Sequence, residues 1–156
     1  MRPLQDWIGA ALAALILIFF VLAFVDLADA AEIREADAVH AILGEARGEG
    51  WTWRAGKLRV YDMERGYRAM YAVACAIRNR GHLGGVDGRH AKLSGVSPEI
   101  HHLAARAWAE SETGEDITHG ADHWYAHKLC RPWWARYGTR TAVIGGHTYM
   151  KNVKKK

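Results

Sequence analysis

The longest run of apolar positions lies near the N-terminus. Residues 7–25 carry no charged side chain and are rich in Ala, Leu, Ile and Phe. A membrane-spanning helix needs about 18 or more apolar residues, whereas a cleavable signal peptide has a shorter apolar region and a small-residue cleavage site. The run is long enough for an anchor, yet Ala28-Asp29-Ala30 has the pattern of a cleavage site. The sequence therefore predicts that residues 1–30 form a signal peptide or a membrane anchor, and leaves cleavage open.

Beyond this segment, apolar residues recur at three- and four-residue spacing in three places, which predicts three helices. The first covers residues 32–47. The second has its apolar positions within residues 70–77 and a C-terminal stop at Gly81. The third starts with Ser97 as the N-cap and Pro98 at the first helical position.

The remaining segments predict loops and a small amount of strand. Residues 50–66 have no sustained period and favour a surface loop or small hairpin, and residues 81–95 are Gly-rich. Residues 141–150 resemble two short extended pieces joined at Gly145-Gly146, a favourable hairpin dipeptide. At this length one domain is expected, so we predict a mainly helical α+β domain over residues 31–156 with a small β hairpin.

Charge distribution indicates an exported domain. Arg2 is the only basic side chain before the apolar run, and the positive-inside rule then keeps the N-terminus in the cytoplasm and sends residues 31–156 out. The expected location is the periplasm or cell envelope, with attachment to the inner membrane if the segment is retained. Without residues 1–30 the net charge rises from +4 to +6. A basic exported domain suits anionic lipid or acidic envelope polymers, and export argues against nucleic acid as a partner.

Glu45 is the first candidate catalytic residue. It lies between Gly44 and Gly48 at the end of the first predicted helix, and Glu49 follows four positions later on the same flank. Small neighbours would let a bulky polymer approach such a carboxyl group. To deliver a proton near neutral pH, the group would have to be partly withdrawn from water. Taken alone, Glu45 is better explained as a solvated partner of its charged neighbours such as Arg47.

Three blocks of sequence carry a family resemblance. Residues 41–49 read A-I-L-G-E-A-R-G-E, residues 72–80 form an Ala- and Val-rich stretch ending in Asn-Arg, and residues 116–125 read D-I-T-H-G-A-D-H-W-Y, followed by I-G-G-H-T-Y at 144–149. In order and spacing, over most of residues 37–150, these blocks resemble the spore-cortex-lytic (SleB-type) cell wall hydrolases. The chain departs from the family pattern at Ala69-Met70, where Gly-Gln is usual, and at Ile117, where Pro is common.

The resemblance implies a lysozyme-like fold and cleavage of the peptidoglycan glycan strand between N-acetylmuramic acid and N-acetylglucosamine, by a muramidase or a lytic transglycosylase. It implies Glu45 as a single general acid and base, and no cofactor. The expected partners are glycan strands, together with the membrane if residues 1–30 are not removed. We predict substrate-binding roles for six further residues: Glu49, Asp116, Thr118, His123, Tyr125 and His147.

Two other functions remain open at this stage. His119, His123 and His127 recur every four residues, and on a helix they would present three imidazoles suited to zinc, as in a cell wall peptidase. Alternatively, a basic, Trp-rich domain could bind glycan strands without cleaving them. The choice between hydrolysis and anhydro-ring formation, any requirement for modified muramic acid, and a bacterial or phage (endolysin) origin are also left open.

The two cysteines, Cys75 and Cys130, permit one disulfide in an oxidising compartment if the fold brings them together. Cys75 lies among apolar residues, so a buried free thiol explains it equally well.

Overall fold

The fold is α+β and mainly helical. The computed structural model describes residues 32–54 and 58–154. Within those residues the helices are α1 (Glu35–Ala46), α2 (Met63–Arg80) and α3 (Pro98–Glu110). The strands are β1 (Trp51–Arg54), β2 (Leu58–Tyr61), β3 (His123–Ala126), β4 (Thr139–Ile144) and β5 (His147–Lys151). The predicted α+β class, with three helices and a small hairpin, is confirmed.

The three helices pack around one apolar core. α2 supplies Met70, Val73 and Ile77, which are fully buried against Ile42 and Leu43 of α1. α3 closes the core with its own apolar face, and Ala residues on all three helices permit close approach. Burying a side chain of this size stabilises the fold by roughly 1.5–3 kcal/mol. The apolar spacing seen in the sequence therefore identifies the faces that form the core.

The ends of α2 and α3 differ in part from the predictions. α2 begins at Met63, because the Asp62 carboxylate accepts a hydrogen bond from the Arg65 amide at 3.0 Å and caps the first turn. It ends at Gly81 as predicted, in the left-handed conformation with φ of 75°. The 50–66 segment is consequently the β1–β2 hairpin followed by the first turn of α2. Ser97 occupies the N-cap position of α3, but its side chain makes no capping hydrogen bond, so that detail of the prediction is wrong.

A three-stranded antiparallel sheet follows the helices, with strand order β3-β5-β4. β4 and β5 form the predicted hairpin across Gly145-Gly146, whereas β3 was not predicted. Trp124 of β3 lies opposite Tyr149 of β5, so their side chains share one face of the sheet. Since side chains alternate along a strand, His147 lies on that same face. This face packs on α2, where Ala72 and Ala76 leave room for Tyr149.

The predicted signal peptide or anchor at residues 1–30 lies outside the described residues and stays a prediction. In the part of the chain that the structure does describe, no helix has the length and apolar character needed to cross a membrane. Cys75 is buried in α2 and Cys130 is exposed after β3, and both are free thiols. Burial raises the pKa of Cys75 to about 11, as expected for an unreactive core thiol.

Candidate active site

The carboxylate of Glu45 is fixed by donors on both of its oxygens. Oε1 accepts a hydrogen bond from the backbone N–H of Gly88 at 2.6 Å, and Oε2 accepts one from the indole Nε1–H of Trp124 at 3.1 Å. The side chain is partly buried near the C-terminal end of α1. Glu45 is therefore held in one orientation by the loop after α2 and by strand β3.

The contact with Gly88 depends on a close approach of two backbones. Residues 87–90 form a single 3₁₀ turn that packs on α1. A Cβ atom at Gly88 would lie 2.7 Å from Cγ of Glu45, and a Cβ atom at Gly44 would lie 2.5 Å from Cα of Gly88. Because side chains at either position would force the turn away, the two glycines are what bring the Gly88 amide onto Glu45.

Trp124 connects Glu45 to a basic side chain. The guanidinium of Arg80, the last residue of α2, lies 5.8 Å from the centre of the Trp124 ring, within cation–π range. Burial lowers the pKa of Arg80, and the charges of Asp122 and Glu45 oppose that shift. The ring of Trp124 therefore lies between a carboxylate and a partly desolvated cation.

Glu49 is bound in a second arrangement of the same kind. Its Oε2 accepts a hydrogen bond from the backbone N–H of Gly146 at 2.7 Å, in the turn between β4 and β5. Its Oε1 lies 3.8 Å from Nδ1 of His147, and the Glu49 side chain is 20% exposed. Two carboxylates four residues apart, Glu45 in the last turn of α1 and Glu49 in the turn that follows the helix, are thus each bound by a glycine amide from a different loop.

His147 and Tyr149 lie beneath these carboxylates. Nδ1 of His147 and the hydroxyl of Tyr149 are buried and have no hydrogen-bond partner among the described residues. Burial lowers the pKa of His147, although the charges of Glu49 and Glu45 act in the opposite direction. Burial also raises the pKa of Tyr149 well above its ordinary value, so the floor of the site is neutral at physiological pH.

Asp116 and Thr118 form a separate hydrogen-bond network. Oδ1 of Asp116 accepts from the Thr118 amide at 2.8 Å and from its hydroxyl at 2.6 Å, and Oδ2 accepts from Nδ2 of Asn79 at 2.9 Å and from the Gly120 amide at 2.6 Å. Burial acts to raise the pKa of Asp116, but these hydrogen bonds outweigh it and hold the pKa below its ordinary value. Thr118 is fully buried. The network ties the loop before β3 to the end of α2.

His123 and Tyr125 lie on the other face of β3 from Trp124, as strand alternation requires. Both rings pack against Trp134, with centroid distances of 5.4 and 5.7 Å. Nδ1 of His123 is 2.8 Å from Oδ1 of Asp122. His123 still reaches a pocket that it shares with Trp124, whereas Tyr125 borders a different one. Of the seven predicted site residues, the structure brings together Glu45, Glu49 and His147.

Three residues of this site were not singled out from the sequence: Gly88, Arg80 and Gly146 in its role as an amide donor. Trp124 was noted only as a member of the motif block at residues 116–125. Had residues 123–126 been predicted as a strand, Trp124 would have been placed on the opposite face from His123 and Tyr125. A strand of four residues gives too little periodicity for that prediction. Nothing in a Gly-rich loop distinguishes Gly88 from the other glycines.

The geometry needed for the zinc alternative is not present. His119 lies in a turn with φ of 56° and His123 lies in strand β3, so the helix that would place three imidazoles on one face does not form. Across residues 32–54 and 58–154, no cluster of three or more His, Cys, Asp or Glu side chains is arranged to hold a metal ion.

Comparisons with known proteins give one solved structure. No family model matches the sequence, and no curated protein matches it. The chain is similar to the catalytic domain of the germination-specific lytic transglycosylase SleB from Bacillus anthracis. The match has 21% sequence identity and a TM-score of 0.49, and covers 75% of this chain and 93% of that one. Because this identity and TM-score are low, the function proposed below depends on the side chains of the present chain.

Proposed function

We propose that this protein cleaves the glycan strand of peptidoglycan, with the carboxyl group of Glu45 as the proton donor to the glycosidic oxygen. The observation that carries the proposal is the two-point fixation of a partly buried glutamic acid, by the Gly88 amide and the Trp124 indole. Cleavage of a sugar bond needs a proton delivered to the leaving oxygen from a fixed direction. A glutamate that served only as a surface ion-pair partner would need neither the Gly88 amide nor the Trp124 indole as a donor.

The two hydrogen bonds leave Glu45 free to react. Each carboxyl oxygen has two lone-pair positions, and Gly88 and Trp124 use one on each oxygen. The remaining positions are available for the transferable proton and for the substrate. After the bond to the leaving sugar breaks, the carboxylate can accept a proton from water as the water oxygen bonds to the anomeric carbon. Alternatively it accepts the proton of the sugar's own 6-hydroxyl as that oxygen bonds to the same carbon and closes an anhydro ring. The same side chain thus serves as acid and then as base.

We assign Glu49 a positioning role in this reaction. Its carboxylate accepts a hydrogen bond from the Gly146 amide and faces His147, so it fixes the β4–β5 turn against the turn that follows α1. A Cβ atom at Gly145 would lie 3.0 Å from Oε2 of Glu49, which shows how closely the turn encloses that group. In this proposal Glu49 acts through the turn and Glu45 acts on the substrate.

The proposal is tested with purified sacculi and the variants Glu45→Gln and Glu35→Gln. Loss of a general acid costs about 10²–10⁴-fold in rate, so Glu45→Gln should release fragments at least about 100-fold more slowly. Glu35→Gln makes the same chemical change in the exposed first turn of α1 and should keep the normal rate. Normal cleavage by Glu45→Gln would contradict the assignment. A wild-type protein that binds sacculi and releases nothing would instead indicate a non-catalytic glycan-binding protein.

The products distinguish the two modes of cleavage. A muramidase leaves reducing ends, whereas a lytic transglycosylase leaves anhydro ends that are lighter by one water. Mass analysis of the released fragments separates them. We further propose that residues 1–30 direct the domain to the envelope, where its substrate lies, and fractionation of cells expressing the chain with and without those residues tests this.

A further inference from the structure

A pocket of about 580 Å³ borders the site on the side of Trp124. Its lining combines the aromatic rings of Trp124, Trp133 and Trp134 with the basic or imidazole side chains of Arg80, His82 and Lys154. Within the described part of the chain, neither Asp nor Glu lines it. Trp133 is 58% exposed, so one ring face is open to a ligand. The pocket has flat apolar surfaces suited to sugar rings and an excess of positive charge.

Arg80 is the most buried cation of this pocket, and its guanidinium is not neutralised by a direct contact. Among the described residues it has neither a hydrogen bond nor an ion pair with a carboxylate. The two carboxylates whose charges reach it are occupied elsewhere. Asp122 contacts Nδ1 of His123 at 2.8 Å, and Glu45 is bound by Gly88 and Trp124. The guanidinium therefore retains its donors for a ligand.

We infer that this pocket binds a carboxylate carried by the glycan substrate, with Arg80 as the group that recognises it. The inference rests on the proposed function and names the chemical class of substituent that the site selects. An Arg guanidinium suits a carboxylate because two of its N–H groups can bind both oxygens. In peptidoglycan a carboxylate is carried by the lactyl ether of muramic acid where no peptide is attached, and by the peptide stem where one is. Either source presents the same group beside a sugar ring.

Binding of three probes to the full chain carrying Glu45→Gln, which prevents turnover, tests the inference. The probes are chitotetraose, a peptide-free tetrasaccharide of alternating N-acetylglucosamine and N-acetylmuramic acid, and the same tetrasaccharide with its peptide stems. We expect at least one acidic probe to bind about tenfold or more tightly than chitotetraose at low salt, because hydrogen bonds to a charged group contribute that much. The advantage should shrink as salt is raised.

The two acidic probes identify the source of the carboxylate. Preference for the peptide-free tetrasaccharide points to the lactyl group, and preference confined to the peptide-bearing one points to the stem. Amidation of the carboxylates on the preferred probe should reduce its affinity to that of chitotetraose, a control that needs no change in the protein. Equal binding of all probes would overturn the inference.

Variants assign the effect to Arg80. Arg80→Met should abolish the preference for the acidic probe and leave chitotetraose binding unchanged, and Arg80→Lys should keep part of the preference. Arg106→Met removes the same charge from the exposed face of α3. It should change neither the preference for the acidic probe nor the affinity for chitotetraose. Equal loss of both affinities in Arg80→Met, with the melting temperature maintained, would also overturn the inference. Because binding is measured without turnover, absence of cleavage by the wild type would leave this result standing.

Discussion

The carboxylate of Glu45 and the backbone amide of Gly88 are joined by a hydrogen bond of 2.6 Å across 43 residues of sequence. The bond links the end of α1 to the 3₁₀ turn after α2, and it requires that neither Gly44 nor Gly88 carry a side chain. It therefore depends on two backbone positions that have no functional groups of their own. Substitution of either glycine should act on Glu45 without touching the substrate.

Gly88→Ala should lower activity about 10- to 100-fold, because the added Cβ atom would lie 2.7 Å from Cγ of Glu45 and 2.8 Å from its backbone nitrogen. The turn must then move, and a hydrogen bond to a charged group is worth about 1.5–3 kcal/mol. Rates of fragment release from sacculi, with melting temperatures, measure the effect. Gly48→Ala is the matched control, since a Cβ atom there meets nothing within 4 Å. Wild-type activity in Gly88→Ala would show that the amide is not needed.

Trp124→Phe should lower kcat about tenfold and change KM much less. The substitution keeps an aromatic ring opposite Tyr149 but removes the indole N–H that binds Oε2 of Glu45. Trp53→Phe, at a ring that is 69% exposed on the β1–β2 hairpin, serves as the control and should behave as the wild type. If KM rises while kcat is maintained, Trp124 acts on substrate binding and not on Glu45.

The helices were predictable because their apolar spacing reflects burial that the sequence records directly. Ile42 belongs to the apolar stripe of α1, and Met70 and Ile77 belong to that of α2. All three lie in the core. The first turn of α2 was included in the loop or hairpin predicted at residues 50–66, because that turn is fixed by the Asp62 cap, a single polar contact with no periodicity. Strand β3 was missed because its four residues are half-buried on both faces and show no alternation in hydrophobicity.

The site was predictable only where a side chain carries the chemistry. Glu45, Glu49 and His147 were named from motif blocks, and the fold brings them together. Gly88 contributes through its backbone amide, which is the same in every non-proline residue. Arg80 ends the motif block at residues 72–80, but its place beside the Trp124 ring depends on where β3 packs. Roles that arise from tertiary contacts of this kind cannot be predicted from the neighbouring residues in the sequence.

His147 should make the stability of the fold fall on acidification. Burial lowers its pKa in the folded protein, whereas the unfolded chain has the ordinary value of about 6.5. Below that value the unfolded state takes up a proton that the folded state does not, so the free energy of unfolding decreases as pH falls from about 6.5 toward the lowered pKa. Urea denaturation between about pH 8 and 5 measures the slope.

His147→Asn should flatten that slope, and His102→Asn, at an exposed position on α3, should leave it as in the wild type. The comparison is needed because the chain has nine histidines. A slope that persists unchanged in His147→Asn would show that another group is responsible.

Asp116→Asn should lower stability and leave the rate of glycan cleavage unchanged below the melting temperature. The Asp116 carboxylate accepts four hydrogen bonds that close the loop before β3, two on each oxygen, and its replacement by an amide places an NH₂ group against two of these donors. We expect the free energy of unfolding at pH 7 to fall by about 1–2 kcal/mol. This lies toward the lower end of the range for hydrogen bonds to a charged group, because Asp116 is partly exposed. Glu115→Gln, at the exposed neighbouring position, is the control and should show no loss.

The effect of Asp116→Asn should also depend on pH with a defined sign. Since the folded-state pKa of Asp116 lies below the unfolded value of about 3.9, its contribution is complete above that pH and is lost as pH falls through the folded-state value. The wild type and Asp116→Asn should therefore converge in stability in strong acid while differing near neutrality. A variant with normal stability at pH 7 and a raised KM would instead support the substrate-binding role that the sequence predicts for Asp116.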